Sequence, residues 1–154
     1  MLVKDIITTN VVTVPSNTPV MEARKIMDVH RIERLPVVDR GRLVGIVTKG
    51  LLQRTGPSEA TFLSVWEINY LIARMTVKEI MRKDVVTVPP DITVECAVAT
   101  AQEHHVGALP VLEGERLVGI LTNNDFFYQI LNPLLGINEG ASASSSMGLT
   151  LRIR

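Results

Sequence analysis

The chain is a repeat of itself. Residues 3–53 and 77–127 align at a constant offset of 74 with no gap, and 20 of the 51 aligned positions are identical. The matches fall in blocks. Val11-Val12-Thr13-Val14-Pro15 pairs with Val85-Val86-Thr87-Val88-Pro89, Leu35-Pro36-Val37 with Leu109-Pro110-Val111, and Arg42-Leu43-Val44-Gly45-Ile46 with Arg116-Leu117-Val118-Gly119-Ile120. Self-similarity of this kind means one fold unit built twice. A unit of about 50 residues is near the lower limit for burying a core alone. The copies are therefore expected to pack on each other, with function in the two clefts between them and in the places where they differ.

Each copy reads strand, helix, strand, strand, helix. Val11–Val14 is a β-branched run ended by Pro15. Asn17-Thr18-Pro19 offers helix caps and a proline for the first turn. Val20, Ala23, Met27 and His30 then form one stripe at helical spacing. Arg34–Val38 and Leu43–Thr48 flank the turn at Asp39–Arg42, and a second helix begins near Lys49. The second copy places strand Val85–Val88, helix Thr93–His104, hairpin strands Ala108–Leu112 and Arg116–Leu121, and a helix from Asn123 to Leu131, before Pro133.

Between the copies, Gly56-Pro57-Ser58 breaks the first module's last helix. Ser64-Val65-Trp66-Glu67 has the form of a capping box opening a helix through Arg74. Trp66, Tyr70 and Leu71 pack this connector either onto its own core, which is the expectation, or onto another subunit. Gly140–Ser146 is a Ser-, Ala- and Gly-rich flexible stretch. Leu149–Arg154 alternates like a strand, which either pairs with another chain or opens a further domain.

Hydrophobic residues make up 46% and aromatics 4%, so the core is aliphatic. The 16 basic and 16 acidic residues cancel, which argues against a nucleic-acid partner, since phosphate binding shows as a basic excess or stripe. Cys96 is the single cysteine, so no intrachain disulfide forms, and its helical setting suggests a buried, inert thiol. No signal-peptide pattern opens the chain, and no apolar run approaches the roughly 20 residues that cross a bilayer. A cytoplasmic protein without a membrane partner is expected.

The double pattern resembles a tandem pair of cystathionine-β-synthase (CBS) domains, the Bateman module. The residues that carry the resemblance are Val11–Val14 before a helix, Arg34-Leu35-Pro36-Val37-Val38-Asp39, Leu43-Val44-Gly45-Ile46-Val47-Thr48, and their equivalents in the second copy. It covers residues 3 to about 131. The Trp66-Glu67 connector and Pro133-Leu134-Leu135-Gly136-Ile137 are most like acetoin-utilisation-type CBS proteins, some of which carry an amino-acid-sensing domain after the pair. The resemblance implies an α+β fold of two CBS domains, each β-α-β-β-α, packed in pseudo-two-fold symmetry. The domain bounds read from it are 1–56, a helical connector 57–76, 77–132, and a tail 133–154.

It also implies a regulatory module rather than an enzyme. Such a module is a homodimer, binds an adenosine compound (AMP, ADP, ATP or S-adenosylmethionine) as ligand, needs no further cofactor, and signals to a partner. The ribose motif is Thr-x-x-Asp at a strand-to-helix junction, where a carboxylate accepts strong, charge-assisted bonds from both ribose hydroxyls. The second copy has it complete in Thr122-Asn123-Asn124-Asp125. The first has Thr48-Lys49-Gly50-Leu51, and leucine cannot accept a hydrogen bond.

By the resemblance, the nucleotide site joins Thr122, Asn124 and Asp125 to Ile7, Asn10, Val11 and Val12, which hold the adenine, and to Ile32, Glu33 and Arg34. Arg34 stands where relatives place a phosphate-binding cation, while Glu33 disfavours ATP. The other cleft, Thr48 and Leu51 facing Val85, Val86, Val106, Gly107 and Ala108, gains neither a carboxylate nor a cation from these positions and is expected to be empty or weak.

Plainer readings stand beside these. Asp125 suits a helix start for electrostatic reasons alone, and Arg34 suits a solvated strand. His30, His104 and His105 lie at helix ends and lack metal-ligand spacing. No nucleophile–base set is evident. A structural CBS dimer without ligand is the main alternative. A nucleic-acid binder and an enzyme of acetoin metabolism are more distant ones.

Overall fold

The structure, a computed structural model, describes residues 1–55 and 64–136. They divide into two compact units whose limits cut across the repeat. One takes Met1–Val11 together with the chain from Val85 onward, and the other is Val12–Asp84.

The unit Val12–Asp84 contains α1 (Val20–His30), β1 (Arg34–Asp39), β2 (Arg42–Thr48), α2 (Lys49–Arg54), α3 (Val65–Arg74) and α4 (Val77–Ile80). β1 and β2 form an antiparallel hairpin with Arg34 opposite Thr48 and Asp39 opposite Arg42. Its turn is Arg40-Gly41, both at positive φ (51° and 79°), as a two-residue primed turn requires. α1 buries Val20, Ala23 and Met27, and Leu35, Val37 and Val47 are buried from the hairpin. His30 is exposed and does not extend the stripe. Pro19 is the N-cap of α1, and neither Asn17 nor Thr18 caps it through a side chain. The Val20 amide donates instead to the Met75 carbonyl at 2.9 Å. A tertiary backbone acceptor thus does what a cap residue would otherwise do.

The other unit contains a 3-10 turn (Val3–Asp5), α5 (Val94–Glu103), β3 (Ala108–Glu113), β4 (Arg116–Thr122) and α6 (Asn123–Leu134). β3 and β4 repeat the hairpin, with Ala108 opposite Thr122. Thr93 caps α5 by accepting from the Cys96 amide at 3.2 Å. Cys96 is exposed rather than buried, because Val94 and Ala97 take the inward positions of that turn. α6 continues past residue 131 to Leu134. Pro133, expected to follow this helix, lies inside its last turn.

The expected first strands are reduced to single bridges, Val14 to Val37 and Val88 to Val111, both parallel. Pro15 and Pro89 follow at once and cannot donate to a ladder. The residues ahead of these bridges explain the unit boundaries. Val3 and Ile6 join the core of Val88, Val94, Ala97, Leu109, Val111 and Leu121, and the Val3 amide donates to the Ile92 carbonyl at 2.9 Å. In the other unit Val77, the repeat partner of Val3, is fully buried and donates to the Thr18 carbonyl at 2.9 Å. Each copy's leading segment therefore completes the core of the other copy.

α3 opens with the expected capping box: Glu67 N donates to Ser64 Oγ at 3.3 Å and Ser64 N to Glu67 Oε2 at 2.8 Å. It buries none of its residues. Trp66 is 85% exposed, and Tyr70 and Leu71 are exposed with it, so they do not cover their own core. The expected break at Gly56-Pro57-Ser58, the serine-rich stretch and the terminal strand-like segment lie outside the described residues.

Candidate functional site

β4 delivers Thr122 to the N-cap of α6, which puts Asp125 in its first turn. The Asp125 amide donates to Thr122 Oγ1 at 3.3 Å. In return, Asp125 Oδ2 accepts from the Thr122 amide and from its hydroxyl, both at 2.9 Å. The Thr-x-x-Asp motif is thus a capping box with a carboxylate in the third position. Its other oxygen, Oδ1, accepts from the Thr8 hydroxyl at 3.2 Å across 117 residues of chain. Thr8, Thr122 and Asp125 are each only 2% exposed. Burying a carboxylate is costly unless it is hydrogen-bonded, and these bonds meet that need before any ligand arrives.

Thr8 is held by its backbone. It exchanges bonds with Ile120, N to O at 3.2 Å and O from N at 3.0 Å. Gly119 permits this approach: a Cβ there would lie 2.6 Å from Ile7 Cδ1 and 2.9 Å from the Thr8 carbonyl. Sequence reasoning did not single out Thr8. The available signal was a joint change between the copies, since Thr8 aligns with Arg82 where Asp125 aligns with Leu51.

Of the site residues read from the sequence, Thr122, Asn124, Asp125, Ile7, Asn10 and Val11 belong to one unit. Ile7 packs beside Gly119, Asn10 is exposed and Val11 half-buried. Val12, Ile32, Glu33 and Arg34 belong to the other unit. Ile32 is buried, and Glu33 is exposed, with its carbonyl accepting from the Lys49 amide at 2.9 Å. Arg34 is half-buried, with no carboxylate among the described residues at ion-pair distance. In that unit Thr48 caps α2 by accepting from the Leu51 amide at 3.2 Å, and no carboxylate returns the bond.

A pocket of about 730 Å³ lies within the first unit between α5 and α6, lined by residues that include Ala97, Ala101, His105, Leu121, Phe126 and Phe127. It touches Thr122 but not Asp125, and it holds Val106, Gly107 and Ala108. Among the described residues no group of three or more His, Cys, Asp or Glu side chains is placed to hold a metal ion. No helix among them is long and apolar enough to cross a membrane.

The sequence profile of the CBS domain matches residues 3–52 and 77–132. The chain belongs to the CBS-domain family. This CBS pair is 34% identical over 128 residues to the L-aspartate semialdehyde sulfurtransferase of Methanocaldococcus jannaschii, covering 80% of the pair but only 22% of that enzyme. The chain therefore spans only about a fifth of that enzyme's length. A CBS domain-containing protein of Bacillus subtilis, YhcV, is 28% identical over 96% of the pair and 92% of its own length. Among solved structures, an acetoin utilization protein (AcuB) from Vibrio cholerae superposes with a TM-score of 0.73 at 28% identity, over 88% of the pair and 93% of that chain. The CBS domain pair of protein MJ0100, solved with 5′-methylthioadenosine and S-adenosyl-L-methionine, has a TM-score of 0.66 at 31% identity, over 88% of the pair and 96% of that chain. The acetoin-utilisation likeness read from the connector is thus matched by a structural neighbour, and the fold is the mixed α and β one expected.

Proposed function

We propose that this CBS pair senses an adenosine compound and signals its presence to a partner protein, with Asp125 as the ribose anchor. The observation that carries the proposal is the buried, pre-assembled Thr8–Thr122–Asp125 constellation, present in one unit and replaced in the other. The Thr8 bond at 3.2 Å is long for one between oxygens. A ribose hydroxyl that replaces it strengthens the set at little cost in reorganisation. The adenosine ligands of the MJ0100 pair support the class. Arg34 serves the far end of the ligand, since a guanidinium fork reads phosphate and carboxylate alike. Glu33 beside it disfavours a triphosphate, so AMP or S-adenosylmethionine fits better than ATP.

The pair works as a homodimer through the α5–α6 face. Phe127 is 57% exposed there, and among the described residues no Asp, Glu, Lys or Arg lines the adjoining pocket, so a second copy approaches about a two-fold axis without charge repulsion from them. The capping-box geometry of Asp125 favours one rival, a structural pair that binds nothing. Calorimetry on the full chain with AMP, ATP, S-adenosylmethionine and 5′-methylthioadenosine separates them. Saturable binding is expected, weakest for ATP. Asp125→Ala lowers affinity tenfold or more, the scale of one or two charge-assisted bonds. Arg34→Ala weakens AMP and S-adenosylmethionine but spares 5′-methylthioadenosine, which has no anionic tail. No heat with any of the four establishes the structural pair instead.

A further inference from the structure

The two units share a backbone frame but differ in the residues mounted on it. Arg82 occupies in Val12–Asp84 the register that Thr8 occupies in the other unit. It exchanges bonds with Ile46, N to O at 2.9 Å and O from N at 3.0 Å, as Thr8 does with Ile120. Gly45 again permits the approach, since a Cβ there would lie 2.6 Å from Met81 Sδ and 2.8 Å from the Arg82 carbonyl. On this common frame the carboxylate position is Leu51 and the hydroxyl position is Arg82. The change of both together is the informative point. Leucine alone would leave a damaged sugar site, whereas leucine with arginine removes the acceptor of hydroxyls and supplies a donor to anions. Arg82 is exposed and has no carboxylate among the described residues at ion-pair distance, so no described residue neutralises its guanidinium. Lys49, two residues before Leu51, is also exposed and adds positive charge to the same end of β2.

We propose that the unit Val12–Asp84 carries an anion site at Arg82, selective for phosphate or pyrophosphate groups where the other unit is selective for sugar. The site does not depend on the adenosine reading of Asp125. The test is a titration of the full isotopically labelled chain with pyrophosphate, ADP and adenosine, followed by amide chemical shifts. Pyrophosphate and ADP are expected to shift Gly45, Ile46 and Thr48 saturably, and adenosine to leave these three unmoved. If the anion enters only as part of a nucleotide, ADP acts and pyrophosphate does not, and the source is settled as a nucleotide polyphosphate. Arg82→Gln weakens the response at least fivefold with an unchanged melting temperature, and Arg82→Lys restores part of it. Equal responses in the wild type and Arg82→Gln, or shifts from neither anion, overturn the proposal. Should adenosine fail to shift Thr122 and Asp125 while pyrophosphate still moves Gly45, the ribose reading falls and the anion site stands.

Discussion

At the scale of single residues, the asymmetry of this CBS pair rests on a few side chains set on a backbone that the repeat leaves unchanged. Asp125 is buried because Thr8 and Thr122 bond to it, and Thr8 is close because Gly119 has no side chain. Gly119→Ala tests that chain of dependence. The tip of Ile7 can swing away from a new methyl group, but the Thr8 carbonyl is backbone and has to shift. Overpacking of this kind costs about 1–3 kcal/mol, and it draws the Thr8 hydroxyl away from Oδ1. The expected outcome is a lower melting temperature together with weaker adenosine binding, read by thermal unfolding and calorimetry. Gly45→Ala meets the same obstacle in the other unit and is expected to lower stability while leaving adenosine affinity unchanged. The Thr-x-x-Asp signature was legible because a cap and a carboxylate three residues apart is local chemistry. Thr8 was not, because its partner lies 117 residues away and no local pattern marks it.

At the scale of elements, periodicity located the helices and hairpins well, and it failed where a tertiary partner took over a local role. α3 begins and ends as its capping box and Arg74 suggest, since both signals act within one helix. α1 starts at Pro19 without a side-chain cap because Met75 supplies the carbonyl from another element. The Val11–Val14 run looks like a strand but pairs only at Val14, because nothing in the sequence says how far a neighbouring strand extends. A second long-range tie, Ser16 to Asp39, joins the segment before α1 to the end of β1. The Ser16 amide donates to Asp39 Oδ1 at 2.8 Å, and hydrogen bonds from Ser16 hold the Asp39 carboxyl below its ordinary value. A depressed carboxyl stabilises the fold when ionised. The contribution is complete above the unfolded value near 3.9 and is lost as pH falls through the lower folded value. Asp39→Asn is therefore expected to flatten part of the acid limb below about pH 4, with no change at neutral pH in how stability depends on pH. Thermal unfolding at half-unit steps of pH checks it, and an unaltered acid limb refutes the assignment.

At the scale of the whole molecule, the two copies of the repeat exchange their leading segments, a property the repeat itself does not disclose. An alignment shows that residues 3–53 and 77–127 are alike, but either copy can be completed by its own first residues or by its counterpart's. The structure chooses the exchange: Val3 lies in the core with Leu109 and Val111, and Val77 is bonded to Thr18. The consequence is a pair of substitutions with crossed effects. Val3 and Val77 are both fully buried, so Val→Ala at either removes two methyl groups' worth of burial and leaves a small cavity, about 2 kcal/mol in each case. If opening is local to a unit, that loss speeds amide exchange about 30-fold in the damaged unit and little in the other. Val3→Ala is expected to expose Leu109, Val111 and Leu121, which lie more than a hundred residues along the chain, and to spare Val37 and Val47. Val77→Ala is expected to do the reverse. Adenosine affinity should fall with Val3→Ala, because Thr8 is carried on the same segment, and hold with Val77→Ala. Protection lost in the nearer copy instead would mean that each copy is completed by its own leading segment. The Thr8–Asp125 bond would then have no structural basis, and the ribose anchor would have to be sought without it.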